Sequence, residues 1–196
     1  MKIIVKSSPS NGTEPPSEWV KRWSHLVKPH GTVLDVACGY GRHAYYFHRL
    51  NHPVTLVERA QAAIESIVIE AQSCEKVVSD IETGPWPFAG RQFDAVVVTN
   101  YLWRPLMPNL LASLASGGVL IYETFAAGNE TVGKPSRPDF LLQPGELLEI
   151  CKGMRVVGFE DGFVNAEGGQ TARYVQRIAA VREAGTKPEP ARYPLP

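Results

Sequence analysis

Two rhythms of apolar residues run along this chain. Between Ser17 and Pro29 the apolar positions are Trp19, Val20, Trp23, Leu26 and Val27, the spacing of one face of a helix. Ser17 supplies an N-cap hydroxyl and Pro29 with Gly31 closes the run, so the pattern predicts a helix over 18–28. Beyond it, short continuous apolar runs alternate with amphipathic stretches. Strands are expected at 32–36, 54–58, 75–79, 93–99 and 119–123, and helices at 41–51, 60–72 and 104–115. Nearly continuous apolar strands, separated by helices, indicate a parallel sheet covered on both faces. After Glu123 the rhythm changes. Residues 125–142 form a long polar loop, Pro144 opens a helix over 144–152, and strands follow at 154–160 and 171–182. Arg173 to Arg182 mixes apolar with basic residues, as expected of an outer antiparallel strand. A short apolar piece at 2–6 is a candidate edge strand.

The expected organisation is an N-terminal arm over 1–16, one domain over 17–182, and a Pro-rich tail over 183–196. Hydrophobic residues are 44% and charged residues 20%, enough for one well-covered core and too apolar for wholesale disorder. Twenty Lys and Arg balance twenty Asp and Glu. That neutrality gives no footprint for bulk nucleic-acid binding, so no nucleic-acid partner is expected. No apolar run approaches the length of a membrane span, and the N-terminus does not read as a secretory signal. Three widely spaced cysteines (Cys38, Cys74, Cys151) do not form a disulfide framework, and a cytoplasmic location is the default. No His pair has ligand spacing supported by Cys or Asp, so no metal is expected.

The richest stretch is Val33-Leu34-Asp35-Val36-Ala37-Cys38-Gly39-Tyr40-Gly41-Arg42-His43-Ala44. Glycines at the end of the first strand let a ligand approach the backbone, and the helix start that follows offers free N–H groups. The site belongs outside the carboxyl ends of the strands, at the switch point of the sheet. Gly39 to Ala44 also fits the dinucleotide fingerprint G-x-G-x-x-A, which leaves a nicotinamide-dependent oxidoreductase open as an alternative. Asp35 bears on the choice. Beside a pyrophosphate it would repel the ligand; in a site for S-adenosylmethionine it can orient the glycine loop and face an ammonium.

On these residues the chain resembles the class I S-adenosylmethionine-dependent methyltransferases, whose first motif matches D-x-A-x-G-x-G at 35–41. The resemblance implies an α/β, Rossmann-like fold with a seven-stranded, mostly parallel sheet and helices on both faces. It implies that Asp35, the Ala37–Cys38 backbone, Gly39 and Gly41 hold the cofactor and that Glu58 binds the ribose hydroxyls. Asp80 and Ile81 would bind adenine, and Asn100 would approach the methionine end. Ser116-Gly117-Gly118 resembles the family's turn before the fifth strand, with serine in place of proline. Trp19 to Trp23, Asn100-Tyr101-Leu102, Tyr122 to Phe125 with Gly128-Asn129-Glu130, and Pro138 to Leu148 are similar to a small bacterial branch near the tellurite-resistance methyltransferases.

The implied activity is methyl transfer from S-adenosyl-L-methionine to a small-molecule acceptor. A non-catalytic module of the same fold is a further alternative, which Asp35, Glu58 and Asp80 together disfavour. The sequence does not identify the catalytic residues; the candidates for a place near the methyl group are Tyr101, Arg104, Glu123 with Thr124, and Arg137, with Arg22 and Asp139 beside them. Arg104 and Arg137 could clamp an anionic acceptor. Trp19 and Trp23 are expected in the core rather than in an aromatic cage.

Overall fold

The computed structural model describes residues 14–166, 171–185 and 191–196. The candidate strand at 2–6 lies outside them. Ser17 caps the first helix as expected, its hydroxyl accepting the Trp19 and Val20 amides, but regular α-helix α1 covers only Glu18–Trp23 before a single 3-10 turn. Strands β1 (Val33–Val36), β2 (Val54–Glu58), β3 (Cys74–Val78) and β4 (Phe93–Thr99) fall on the apolar runs. Helices α2 (Arg42–Arg49), α3 (Gln61–Glu65) and α4 (Met107–Ala112) connect them, all shorter than expected. α3 stops before Ile67-Val68-Ile69, whose β-branched side chains lose rotamer freedom in a helix.

Strand β5 runs over Leu114–Phe125, helix α5 over Glu146–Ile150, and the chain closes with β6 (Arg155–Val164) and β7 (Arg173–Val181). β5 begins before the Ser116-Gly117-Gly118 turn, because Leu114 already pairs with Phe93 and the register shifts across the turn. A Cβ on Gly118 would lie 2.9 Å from the carbonyl oxygens of Phe93 and Ala115, so glycine is required there.

The seven strands lie in the order β3-β2-β1-β4-β5-β7-β6. The first five are parallel, and β7 runs antiparallel between β5 and β6. This corrects the expectation that β7 is an outer strand; β6 holds the edge. Its basic residue Arg177 is compatible with an inner position because Glu123 and Glu160 pair with it from the two flanking strands.

Two apolar layers sandwich the sheet. One carries Trp19, Trp23, Phe47 and Ile67 against Val33, Val97 and Ile121; the other carries Phe88, Leu106, Leu110 and Leu147 against Leu34, Val96 and Tyr122. Both tryptophans are core residues, as expected. Past the sheet, Tyr193 packs on the α1 layer and His25 Nε2 lies 2.9 Å from the Pro194 carbonyl oxygen, so part of the expected tail is docked. The three cysteines are free and buried. Among the described residues no helix is long and apolar enough to cross a membrane.

Candidate functional site

The loops leaving the carboxyl ends of β1, β2, β3, β4 and β5 enclose a pocket of about 620 Å³. Its position follows from the topology, since strands β1 and β4 turn to opposite sides of the sheet there. Of the residues expected to hold a cofactor, Ala37, Gly39, Glu58, Asp80, Ile81 and Asn100 line it, and so does Tyr101. Asp35, Cys38 and Gly41 do not.

Two non-glycine residues at this floor have left-handed backbone: Ala37 at φ 53° and Asn100 at φ 54°. Such conformations cost free energy and concentrate at ligand sites. Gly39, also left-handed, has open space where a Cβ would stand, so a ligand can reach its backbone. Gly41 serves packing instead: at φ 78° its missing Cβ leaves room for the Ile67 side chain.

Glu58 is fixed by its backbone neighbours. One carboxylate oxygen accepts the Gly39 amide at 3.1 Å and the other the Ala60 amide at 2.9 Å. Each oxygen keeps a lone pair for a ligand, and the carboxylate bridges the glycine loop to β2. Asp80 has two roles available. It lines the pocket, and its Oδ1 accepts the Glu82 amide at 3.0 Å, a local bond that holds its carboxyl below the usual range.

Asp35 is buried behind the glycine loop rather than facing the pocket. The Ala44 amide donates to its carboxylate, while Oδ2 has no partner among the described residues. Burial raises its pKa to about 7, against the opposing influence of Arg42 and that amide, with Glu58 adding to the rise. Cys38 is likewise turned inward, and burial pushes its thiol far up, so only its backbone serves the loop. His43 sits beside them, held neutral by burial with Arg42 adjacent, at a pKa of about 3. Its Nε2 accepts the Ser17 amide at 3.1 Å, which puts the ring proton on Nδ1 and ties α1 to α2.

The residues expected near an acceptor divide sharply. Tyr101 is in the pocket with its hydroxyl buried and unpartnered among the described residues. Burial, with Glu82 nearby, raises its pKa, so the phenol stays protonated as a donor. Arg104 is outside the lining. It pairs with Glu146 at 2.7 Å and donates to the Asp139 and Leu141 carbonyls, which fastens the 125–142 loop. Glu123 is buried between Ser17, whose hydroxyl donates to it at 2.9 Å, and Arg177 at 2.6 Å. Arg137 points to solvent, paired with Asp139 and stacked on Phe140. Arg22 lies over the Trp19 and Trp23 rings and pairs with Glu160.

Other residues complete the lining. Tyr40 and Arg59 stand beside the glycine loop and β2; Lys134, Pro135 and Phe140 come from the 125–142 loop and cover the pocket. No periodicity marks them, because a loop carries none. Among the described residues no cluster of His, Cys, Asp and Glu could hold a metal.

Residues 33–118 match the family model of the methyltransferase domain. Solved structures with the same fold include TehB from Haemophilus influenzae, at 19% identity and a TM-score of 0.65, over 82% of this chain and 60% of that one. The chain therefore spans less than two thirds of that protein. A TehB-like S-adenosylmethionine-dependent methyltransferase from Corynebacterium glutamicum aligns at 17% identity and a TM-score of 0.59, over 83% of this chain and 85% of that one. The glycopeptide N-methyltransferase MtfA, solved with S-adenosyl-L-homocysteine, gives 17% identity and a TM-score of 0.59, over 86% and 90%. No curated protein matches the chain in sequence.

Proposed function

We propose that this chain, a class I methyltransferase fold whose residues 33–118 match the methyltransferase domain, transfers a methyl group from S-adenosyl-L-methionine to a small-molecule acceptor. The sheet order carries the reading. A dinucleotide-binding fold completes its parallel sheet in the order 3-2-1-4-5-6. Here an antiparallel β7 is inserted beside β5, as β3-β2-β1-β4-β5-β7-β6.

The pocket fits the cofactor chemically. Glu58 presents two anchored carboxylate oxygens to a pair of hydroxyls, Gly39 admits close approach, and Asp80 with the Ile81 amide offers an acceptor and a donor to adenine. The Tyr101 hydroxyl has a hydrogen bond still to make. Val57, Ala60, Ala63 and Leu102 supply apolar walls. When bound, the cofactor supplies a methyl group activated on a sulfonium, so the protein's work is chiefly positioning, which can contribute up to about 7–11 kcal/mol. The neutral Tyr101 phenol, the raised Cys38 thiol and the paired Glu123 do not form a ready base. That suits an acceptor that is already nucleophilic, such as a soft anion.

Calorimetry with S-adenosylhomocysteine and with nicotinamide cofactors tests the reading. S-adenosylhomocysteine is expected to bind. Binding of the nicotinamide cofactors with no S-adenosylhomocysteine response overturns it.

A further inference from the structure

Next to the pocket, on the α1 side of the sheet, lies a cluster of three arginines, two of which are weakly paired among the described residues. Alternation along the strands sets its membership. Ile121 and Ala179 face the α1 layer, so Glu123, Phe125, Arg177 and Arg173 face the same way at the carboxyl end of β5 and the start of β7. Arg177 is ion-paired with Glu123 at 2.6 Å and Glu160 at 3.0 Å, although its buried Nε makes no directed hydrogen bond among the described residues. The second oxygen of Glu123 is taken by Ser17. Among the described residues, that leaves Arg173 with no ion-pair partner and Arg42 with only Glu14, at 4.0 Å.

Arg42 is the first residue of α2, where a cation opposes the helix dipole and an acid is preferred. Its contacts are weak: the Thr99 hydroxyl at 3.4 Å and the half-exposed Glu14 carboxylate at 4.0 Å. Arg173 is half-buried, and its Nε is fully enclosed with no partner among the described residues. Burial lowers its pKa, with Glu123 opposing and with Arg177 and Arg42 close enough to add to the fall. Orphaned buried donors on a cation are costly and call for an anion. The cluster adjoins Asn100 and Phe125, which line the pocket immediately after Thr99 and Glu123.

We propose that Arg42 and Arg173 form an oxyanion subsite that holds a carboxylate or phosphate group of the acceptor beside the pocket. Two guanidiniums from different elements give forked donors for such a group. The anion is a handle that orients the acceptor; the methyl goes to another atom of it. This rests on the methyltransferase reading, and it moves the anion clamp from Arg104 and Arg137, which are engaged elsewhere.

Titration of the full chain with potassium phosphate and with potassium acetate tests it, at constant ionic strength set by chloride. Tryptophan fluorescence or calorimetry reads binding with and without saturating S-adenosylhomocysteine. Saturable binding of either probe is expected, weakened at least about tenfold by Arg42→Gln and by Arg173→Gln, and unaltered by Arg155→Gln, an exposed arginine elsewhere. Tighter phosphate binding assigns a phosphate ester, and tighter acetate binding a carboxylate. Affinity for S-adenosylhomocysteine, measured on each variant, should stay within about twofold of the parent, and circular dichroism confirms the fold. Should Arg173→Gln fail to fold, Arg42→Gln alone decides. The proposal is overturned if neither probe binds beyond chloride, or if binding survives the folded variants. Loss of S-adenosylhomocysteine binding by the parent chain would strike the cofactor reading instead, while the probes without it still report on the arginines.

Discussion

Glu58 shows how one side chain serves structure and ligand together. Its two carboxylate oxygens are fixed by the Gly39 and Ala60 amides, so its removal takes away ligand acceptors and also frees the glycine loop. With charge-assisted bonds worth about 1.5–3 kcal/mol each, Glu58→Ala should weaken S-adenosylhomocysteine by at least about tenfold in calorimetry. Glu58→Gln should lose nearly as much, since its amide group turns a donor toward a backbone N–H. Unchanged affinity in a folded Glu58→Ala would place the ribose elsewhere. Asp35 and His43 give a second residue-level expectation with opposite signs. His43 falls from 6.5 to about 3 on folding, so its contribution to stability is full above pH 6.5 and is lost as the pH falls. Asp35 rises from 3.8 to about 7, so its contribution is full below pH 4 and is lost as the pH rises through 7. Asp35→Asn should therefore gain stability relative to the parent as pH goes from 4 to 8, by at most roughly 4 kcal/mol. Urea titrations across that range check this; a difference independent of pH would mean the carboxyl is ionised in the folded state. Neither inversion could be read from the sequence. Asp35 looked cofactor-facing because its motif was visible, whereas its burial depends on α2 packing over β1.

At the level of elements, β1, β2 and β4 were legible because each is a nearly continuous apolar run in the buried middle of the sheet, whereas β3 carries exposed Glu75 and Lys76 at its parallel edge. β1, β2 and β4 therefore appear within a residue of their expected limits. Helix ends were less legible: propensity is a weak guide where the last turn is set by packing, and α3 gives way to an irregular stretch at Ile67. The position of β7 was not legible at all, since it depends on Glu123 and Glu160 supplying partners to Arg177 from two other strands. The packing of α1 on the sheet is similarly non-local. A Cβ on Gly158 of β6 would drive into the Trp23 ring. Gly158→Ala should destabilise the fold by about 1–3 kcal/mol, through overpacking of a buried indole that cannot retreat. A denaturation midpoint equal to the parent's would show that Trp23 has a second rotamer available.

For the molecule as a whole, the open question is how the pocket is covered. The 125–142 segment read as one long polar loop, and its ends prove to be bridged to each other through Ala126 and Leu142, with further fastenings at each side. At the first end, Asn129 bonds the Pro135 carbonyl and receives the Tyr174 amide. At the second, Arg104 holds Asp139, Leu141 and Glu146, and the Leu142 amide returns to the Phe125 carbonyl. Between these anchors Lys134, Pro135 and Phe140 cover the pocket. With Pro135 tied to Asn129, and Phe140 flanked by the two carbonyls that Arg104 holds, the cover can tighten on a ligand without a large swing, excluding water as lids do. We therefore expect S-adenosylhomocysteine to slow proteolysis within 125–142. Arg104→Ala should release the second anchor, speed that cleavage, and weaken S-adenosylhomocysteine by about three- to tenfold. The effect is modest because the Arg104–Glu146 pair is partly exposed and its strength is screened by water. Arg137→Ala, which removes a solvent-facing pair with Asp139 and a stack on Phe140 but leaves the Arg104 anchor in place, should change both readouts less than Arg104→Ala does. If Arg104→Ala leaves both cleavage and affinity at parental values, the 125–142 segment is held by Asn129 and the bridge at Leu142 alone. Cover over the pocket would then not depend on the far anchor.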